Sequence, residues 1–130
     1  MATGFPAVTG DVLSAAMFNG LVAFTVDADS TAATYTAVLD DAYQVLVPIN
    51  SATATAFKIP TNASVAFPVG TAITVLNKGA GAVTISAVTS GTTTVLSAGA
   101  VAASPTLAQY KSAACIKTAT DVWYVVGGIA

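Results

Sequence analysis

From residue 21 onward, apolar side chains come in short runs interleaved with Thr, Ser and Gly, and turn-forming clusters separate the runs. The clearest alternation lies at 82–88, where Val83, Ile85 and Ala87 share one side of a period of two and Thr84 and Ser86 share the other. That period belongs to a half-buried β-strand. The same reading predicts strands at 21–26, 34–39, 43–49, 54–59, 64–67, 71–77, 82–88, 93–96, 112–118 and 122–126. Val, Ile, Thr and aromatic residues dominate these runs, and such side chains suit a pleated surface.

Two hairpins are expected. One joins 71–77 to 82–88 through Lys78-Gly79-Ala80-Gly81, with the glycines taking positive φ. The other joins 112–118 to 122–126 through Ala119-Thr120-Asp121 and turns Trp123 and Val125 inward, with Tyr124 on the opposite face. Pro68 withholds a backbone donor, so a strand ends or runs along an edge there, and Gly70 permits a tight turn into 71–77. Phe67 then packs beside Trp123. The expected core is Phe67, Ile73, Val75, Val83, Ile85, Ile116, Trp123 and Val125.

Residues 1–20 read differently. The first ten (MATGFPAVTG) suit an extended arm. Asp11 is a good N-cap, Val12 to Asn19 contains no Pro, and Gly20 suits the position just past a helix end. A two-turn helix is unstable alone, so it must dock on something. The expected architecture is therefore all-β: an antiparallel β-sandwich or partly closed barrel over 21–130, preceded by an arm and one short helix over 1–20. The segment 97–104 (SAGAVAAS), ended by Pro105, reads as an irregular crossing.

Composition narrows the function. Of 130 residues, 55% are hydrophobic and only 8% charged, and the formal net charge is -2. Ordinary domains carry about 25% charged residues. There is no His, no Arg and no Glu. Ser-His-Asp and Cys-His nucleophilic sites and His-ligated zinc are excluded, as is bidentate Arg recognition of phosphate or guanine. Four scattered Lys leave no electrostatic footprint for nucleic acid. The most apolar stretch, 13–26, holds Ser14, Asn19, Gly20 and Thr25 and falls short of the ~20 apolar residues of a spanning helix, so no membrane partner is expected. Residues 1–20 lack the basic start of a secretory signal. So little charge implies that other protein chains cover much of the surface, because interface cores are depleted in charge; the alternative is a monomer kept dispersed by hydroxyls.

No chemical motif stands out. Asp27-Ala28-Asp29 opens like a calcium loop, but the sixth position is not Gly and the twelfth is Val38. Asp40-Asp41 are adjacent, so on a strand they would face opposite ways and in a turn both would be hydrated; neither suits acid/base work. Lys78-Gly79-Ala80-Gly81 lacks the spacing of a phosphate-binding loop. Asn62-Ala63-Ser64 matches a glycosylation triplet, which chance supplies often. Cys115, the single cysteine, sits among Ala113, Ala114 and Ile116 and reads as a small buried apolar residue. Phe57, Phe67, Tyr110, Trp123 and Tyr124 suit a core or interface better than a sugar-stacking platform. No cofactor, metal or catalytic residue is expected; a structural or binding role is.

Two stretches resemble the structural proteins of tailed-bacteriophage virions. GDVLSAAMFN at 10–19 is similar to their N-terminal Gly-Asp-x-Leu-x-Ala-Ala pattern leading to Asn. IPTNASVAFPVGTAITV at 59–75 resembles their β-domain signature, which continues through GAGAVTI at 79–85, QYKSAACIK at 109–117 and WYVVG at 123–127. The family often has Arg or Lys before Gln-Tyr, where this chain has Leu107-Ala108. The resemblance implies a homotrimer in the virion: a capsid decoration (cement) protein on the outer shell, or a head-fibre or tail-fibre module that binds a receptor or carbohydrate. Short length favours decoration. In that role Phe5, Val12, Leu13, Met17 and Phe18 would anchor the chain on the major capsid protein.

Overall fold

The computed structural model describes residues 25–42, 45–97 and 104–129. The expected arm and helix, with Phe5, Val12, Leu13, Met17 and Phe18, lie outside the described residues, as does most of the 97–104 crossing. The protein is all-β. Its elements are β1 (Thr25–Val26), β2 (Thr34–Thr36), a 3₁₀ turn (Leu39–Ala42), β3 (Val45–Ile49), β4 (Thr55–Ile59), β5 (Ala72–Asn77), β6 (Val83–Ala87), β7 (Thr94–Leu96), β8 (Thr106–Leu107), β9 (Ser112–Ala119) and β10 (Val122–Gly127). Among the described residues they form a six-stranded sheet, ordered β1-β3-β5-β9-β10-β7, and a four-stranded sheet, ordered β2-β4-β6-β8.

The sheets are mixed, which corrects the antiparallel expectation. The chain crosses from one sheet to the other after each of its first five strands, and each of the first four pairs in parallel with the strand two positions later. Thus β1, β3 and β5 run parallel in one sheet and β2, β4 and β6 in the other. The winding resembles stacked coils. It ends when β9 pairs antiparallel with β5, β10 pairs antiparallel with β9, and β8 pairs antiparallel with β6. Strand β7 then adds in parallel to the free side of β10.

This winding removes the first expected hairpin. β5 and β6 lie in different sheets, and residues 78–81 form an arch between them. The glycines serve close approach, not positive φ. A Cβ on Gly79 would collide with the Ser51 main chain and one on Gly81 with the Thr53 carbonyl, because this arch stacks on the one between β3 and β4. The Lys78 N–H donates to Ile49 O at 2.7 Å and the Gly81 N–H to Ser51 O at 2.9 Å. Inside the arch Asn77 is fully buried. Its Nδ2 donates to Gly81 O and Leu107 O, both at 2.8 Å, and its Oδ1 accepts from the Gly79 N–H at 3.0 Å. One side chain thereby satisfies backbone groups that a buried arch would otherwise leave unpaired.

The second hairpin forms between β9 and β10. Asp121 turns it with φ 55°, a left-handed conformation that Asp tolerates better than most residues. Gly70 takes φ 95°, as the tight turn before β5 requires. Residues 64–67 form no strand. Thr61 O accepts from the Ser64 and Val65 N–H groups, and this local turning competes with pairing. The 34–39 run pairs only as far as Thr36 before the 3₁₀ turn starts at Leu39.

One hydrophobic core lies between the sheets. Phe67, Ile73, Val75, Val83, Ile85, Trp123 and Val125 are all buried in it, together with Val47, Ile49, Phe57, Ile59, Val95 and Leu107. Phe67 meets Trp123 edge to face with ring centroids 5.4 Å apart. Ile116 is the exception: it is only half-buried, on the face turned away from the core. The period of two along β9 turns Ala113, Cys115 and Lys117 inward, so the residue between Cys115 and Lys117 must point out.

Candidate functional site

The outer faces of the two sheets differ in chemistry. On the four-stranded sheet, register aligns Thr34, Ala56, Thr84 and Thr106 in one row and Thr36, Lys58 and Ser86 in the next. That face is hydroxyl-rich, and Lys58 Nζ donates to Ser86 Oγ at 2.9 Å. On the six-stranded sheet one row is Val26, Leu46, Thr74, Ala114 and Val126, and the next is Ala72, Ile116, Tyr124 and Leu96. No strand of this sheet presents a charged residue on its outer face. Tyr124 is 43% exposed and Val126 48%. Val26, on the same face, is open to solvent too, whereas Leu46, Leu96 and Ile116 are half-buried.

The carboxylates are occupied separately. Asp29 accepts from Lys78 Nζ at 2.8 Å and from Asn50 Nδ2 at 3.1 Å, and the Lys78 ammonium holds its carboxyl below the ordinary range. Asp41, in the 3₁₀ turn, is buried and accepts from the Tyr35 hydroxyl at 2.9 Å and the Val38 N–H at 3.0 Å. Burial raises its pKa, and the same burial together with Asp41 raises that of Tyr35. The Tyr35 ring stacks on Phe57 with centroids 5.6 Å apart. In this turn Asp40 is exposed, but Asp41 is not hydrated: its carboxylate is turned inward onto Tyr35 and the Val38 N–H. Among the described residues no group of three His, Cys, Asp or Glu side chains could hold a metal ion, and no helix is long and apolar enough to cross a membrane. Burial pushes the Cys115 thiol up to about 12, which leaves it a packing residue.

Sequence reading missed the buried polar clusters around Asn77 and Asp41, and a third around Lys117. Lys117 is 2% exposed, on the core side of β9. Its Nζ donates to Asn62 Oδ1 at 2.6 Å and to Phe67 O at 2.7 Å. The Asn62 N–H donates to Asp121 Oδ1 at 2.8 Å, and Thr93 Oγ1 donates to the same oxygen at 3.1 Å. The cluster ties the 60–68 loop to the turn of the β9–β10 hairpin and to β7. Its internal saturation suits rigidity, and no polar atom is left aimed at a ligand: among the described residues no buried side-chain nitrogen or oxygen lacks a partner.

Tyr110 is the other outward feature. It is 79% exposed and holds φ 66° in the turn before β9, with its N–H donating to Asn77 O at 2.6 Å. A bulky residue in the left-handed region is strained, and exposed strained residues often belong to binding surfaces.

Comparison with known proteins gives no match to this chain among family models, curated proteins or solved structures.

Proposed function

We propose that this chain is a virion structural protein: a capsid decoration (cement) protein that sits as a homotrimer on the outer surface of a phage shell. In this reading the two sheets form a rigid sandwich, and residues 1–20 anchor it on the major capsid protein through Phe5, Val12, Leu13, Met17 and Phe18. It works by adding buried contacts between shell subunits and catalyses no reaction. The observation that carries the reading is the uncharged outer face of the six-stranded sheet, in a chain with only 8% charged residues. A face of that kind is stable in water when other protein covers it. The sequence resemblance to phage virion proteins supplies the particle. The saturated clusters around Asn77, Asp41 and Lys117 support a part built to stay rigid.

The deciding experiment is rebinding. Purified protein added to shells stripped of it should reattach and raise their resistance to heat. A protein lacking residues 1–20 should keep its β-sheet circular dichroism and fail to attach. Full-length protein that does not attach would refute the reading; attachment by the truncated protein would refute the anchor.

Tyr110 favours a second reading, a head-fibre or tail-fibre module in which its exposed ring stacks on a sugar. Glycan-array binding that disappears with Tyr110→Ala would support it, and a blank array would dismiss it.

A further inference from the structure

Lys58 carries a charge that no carboxylate meets. The period of two along β4 sends Phe57 and Ile59 into the core and Lys58 to the outer face of the four-stranded sheet, where it is half-buried. Its register partner on the parallel strand β6 is Ser86, and Lys58 Nζ donates to Ser86 Oγ at 2.9 Å. Among the described residues the one ion pair joins Lys78 to Asp29, so the Lys58 ammonium faces a neutral hydroxyl only. An ammonium has three N–H donors, and Ser86 takes one of them.

The remaining donors open into a cleft of about 310 Å³, near the lower end of the size range of small-molecule sites. Ser90 and Ser104 add hydroxyls to its wall. Ser86 accepts from the ammonium and keeps its own O–H to donate onward. Thr93 also lines the cleft, but its hydroxyl is already engaged with Asp121 Oδ1 at 3.1 Å. Val88 and Val95 form the apolar side. Among the described residues no carboxylate, no side-chain amide and no aromatic ring borders the space.

This lining selects its ligand by chemistry. A metal cation would find no carboxylate. A neutral sugar or a nucleobase would find no ring to stack on. An oxyanion finds one positive charge and several hydroxyl donors. Hydrogen bonds between ionised groups are about twice as strong as neutral ones, and lysine binds phosphate as a point charge. A carboxylate offers the same charged oxygens.

We propose that this cleft binds the oxyanion of a small acidic molecule, a phosphate or carboxylate group carried on a body of about one sugar ring. Lys58 Nζ is the charged anchor, and the hydroxyls of Ser86, Ser90 and Ser104 are the secondary donors. The site belongs to the single chain. It goes beyond the decoration reading and stands or falls apart from it, because neither a shell nor a second copy enters the test.

The test uses the purified full-length chain at low ionic strength, with glucose 6-phosphate, glucuronate and glucose as probes. At concentrations on the order of 10 mM, at least one of the two acidic sugars should shift the backbone amide resonances of Lys58, Ser86 and Ser90 saturably, and glucose should not. Which acidic sugar binds identifies the oxyanion as phosphate or carboxylate. Lys58→Met should raise the dissociation constant by at least about tenfold, since it removes the charge and keeps the length of the side chain. Lys78→Met, which removes an ammonium already paired with Asp29, should leave it unchanged. Unaltered Trp123 fluorescence checks that each variant is folded. A measurement on the unmodified chain needs no variant: the bound acidic sugar should protect Lys58 from acetylation by acetic anhydride, and the exposed Lys111 should react as before. Failure of both acidic sugars to bind, equal binding of glucose, undiminished affinity in Lys58→Met, or an unprotected Lys58 would each overturn the site.

Discussion

Lys117 Nζ lies 2.6 Å from Asn62 Oδ1, 55 positions away in sequence, and the backbone N–H of that same Asn62 is held at 2.8 Å by Asp121. The asparagine thus stands between a buried ammonium and a carboxylate, joined to one by its side chain and to the other by its main chain. A buried cation with only neutral oxygens to face depends on each of them.

Asn62→Ala is therefore expected to destabilise the fold by about 1.5–3 kcal/mol, the usual cost of losing a hydrogen bond to a charged group. Lys117→Met on that background should recover part of the loss, because it removes the ammonium left short of an acceptor. Urea unfolding of the single and double variants measures both effects. A double variant less stable than Asn62→Ala alone would show that the ammonium keeps adequate partners without Asn62.

The arch at 78–81 gives a second prediction. Gly81→Ala pushes a methyl group into the Thr53 carbonyl, which is backbone and cannot swing aside. A loss of about 1–3 kcal/mol is expected, as for other overpacked sites. Gly91 has open space around the position of a Cβ. Gly91→Ala should be neutral or stabilise by up to about 1 kcal/mol through the unfolded chain. Equal thermal midpoints for the two variants would rule out a tight stack between the arches.

How far these features were legible in the sequence follows from what a period of two encodes. It tells which side chains share a face, and so it placed β4, β5, β6, β9 and β10 closely and turned Trp123 and Val125 inward. It does not tell which strand lies alongside. Gly79 and Gly81 are as compatible with a hairpin as with an arch, and only the neighbouring arch at 51–54 separates the two. Lys117 was within reach of the same rule. Cys115 facing inward requires Lys117 to do so and Ile116 to face out; choosing Ile116 for its hydrophobicity overrode the alternation. The 64–67 segment failed for a different reason, since Thr61 and Ser64 bond to each other and to nearby backbone and bend the chain before it can pair. The Asn62–Asp121 link spans 59 positions and leaves no local signal at all.

Asp41 makes stability depend on pH in an unusual direction. Burial raises its folded pKa above the ordinary 3.8, so the folded chain keeps a proton that the unfolded chain gives up. As pH rises from about 3.8 through the folded value, this group therefore subtracts stability, and the full penalty persists above it. Asp41→Asn cannot titrate. It should lose about 0.5–1.5 kcal/mol at every pH through one poorer hydrogen bond to Tyr35 or Val38. Against that constant offset, its stability relative to the unmodified protein should climb as pH rises through this window. Carboxylates such as Asp29 are common to both proteins and cancel in the difference. Urea midpoints of the two proteins, compared across acidic pH, give the slope directly. A flat or falling difference would mean that Asp41 is ionised in the fold at no cost.

The edge-to-face contact of Phe67 and Trp123 joins the 60–68 loop to β10 in the core. Trp123 is 1% exposed and Phe67 3%, so neither ring can be truncated without leaving a cavity. Trp123→Ala should cost about 3–5 kcal/mol, and Phe67→Ala a similar amount. The two losses should not simply add. The ring pair itself is worth about 0.5–1.5 kcal/mol beyond the area it buries, and the double variant loses that contact only once. The double variant should therefore be less destabilised than the sum of the singles by about that much. Since the combined loss approaches the whole stability of a domain this size, the cycle is best run with Trp123→Phe and Phe67→Leu, which keep most of the volume. Strict additivity would show that the two rings are neighbours without an energetic link. A loss well below 1 kcal/mol in Trp123→Ala would show that β10 does not turn this side chain into the core, and with it the inward–outward alternation that puts Tyr124 on the opposite face would fall.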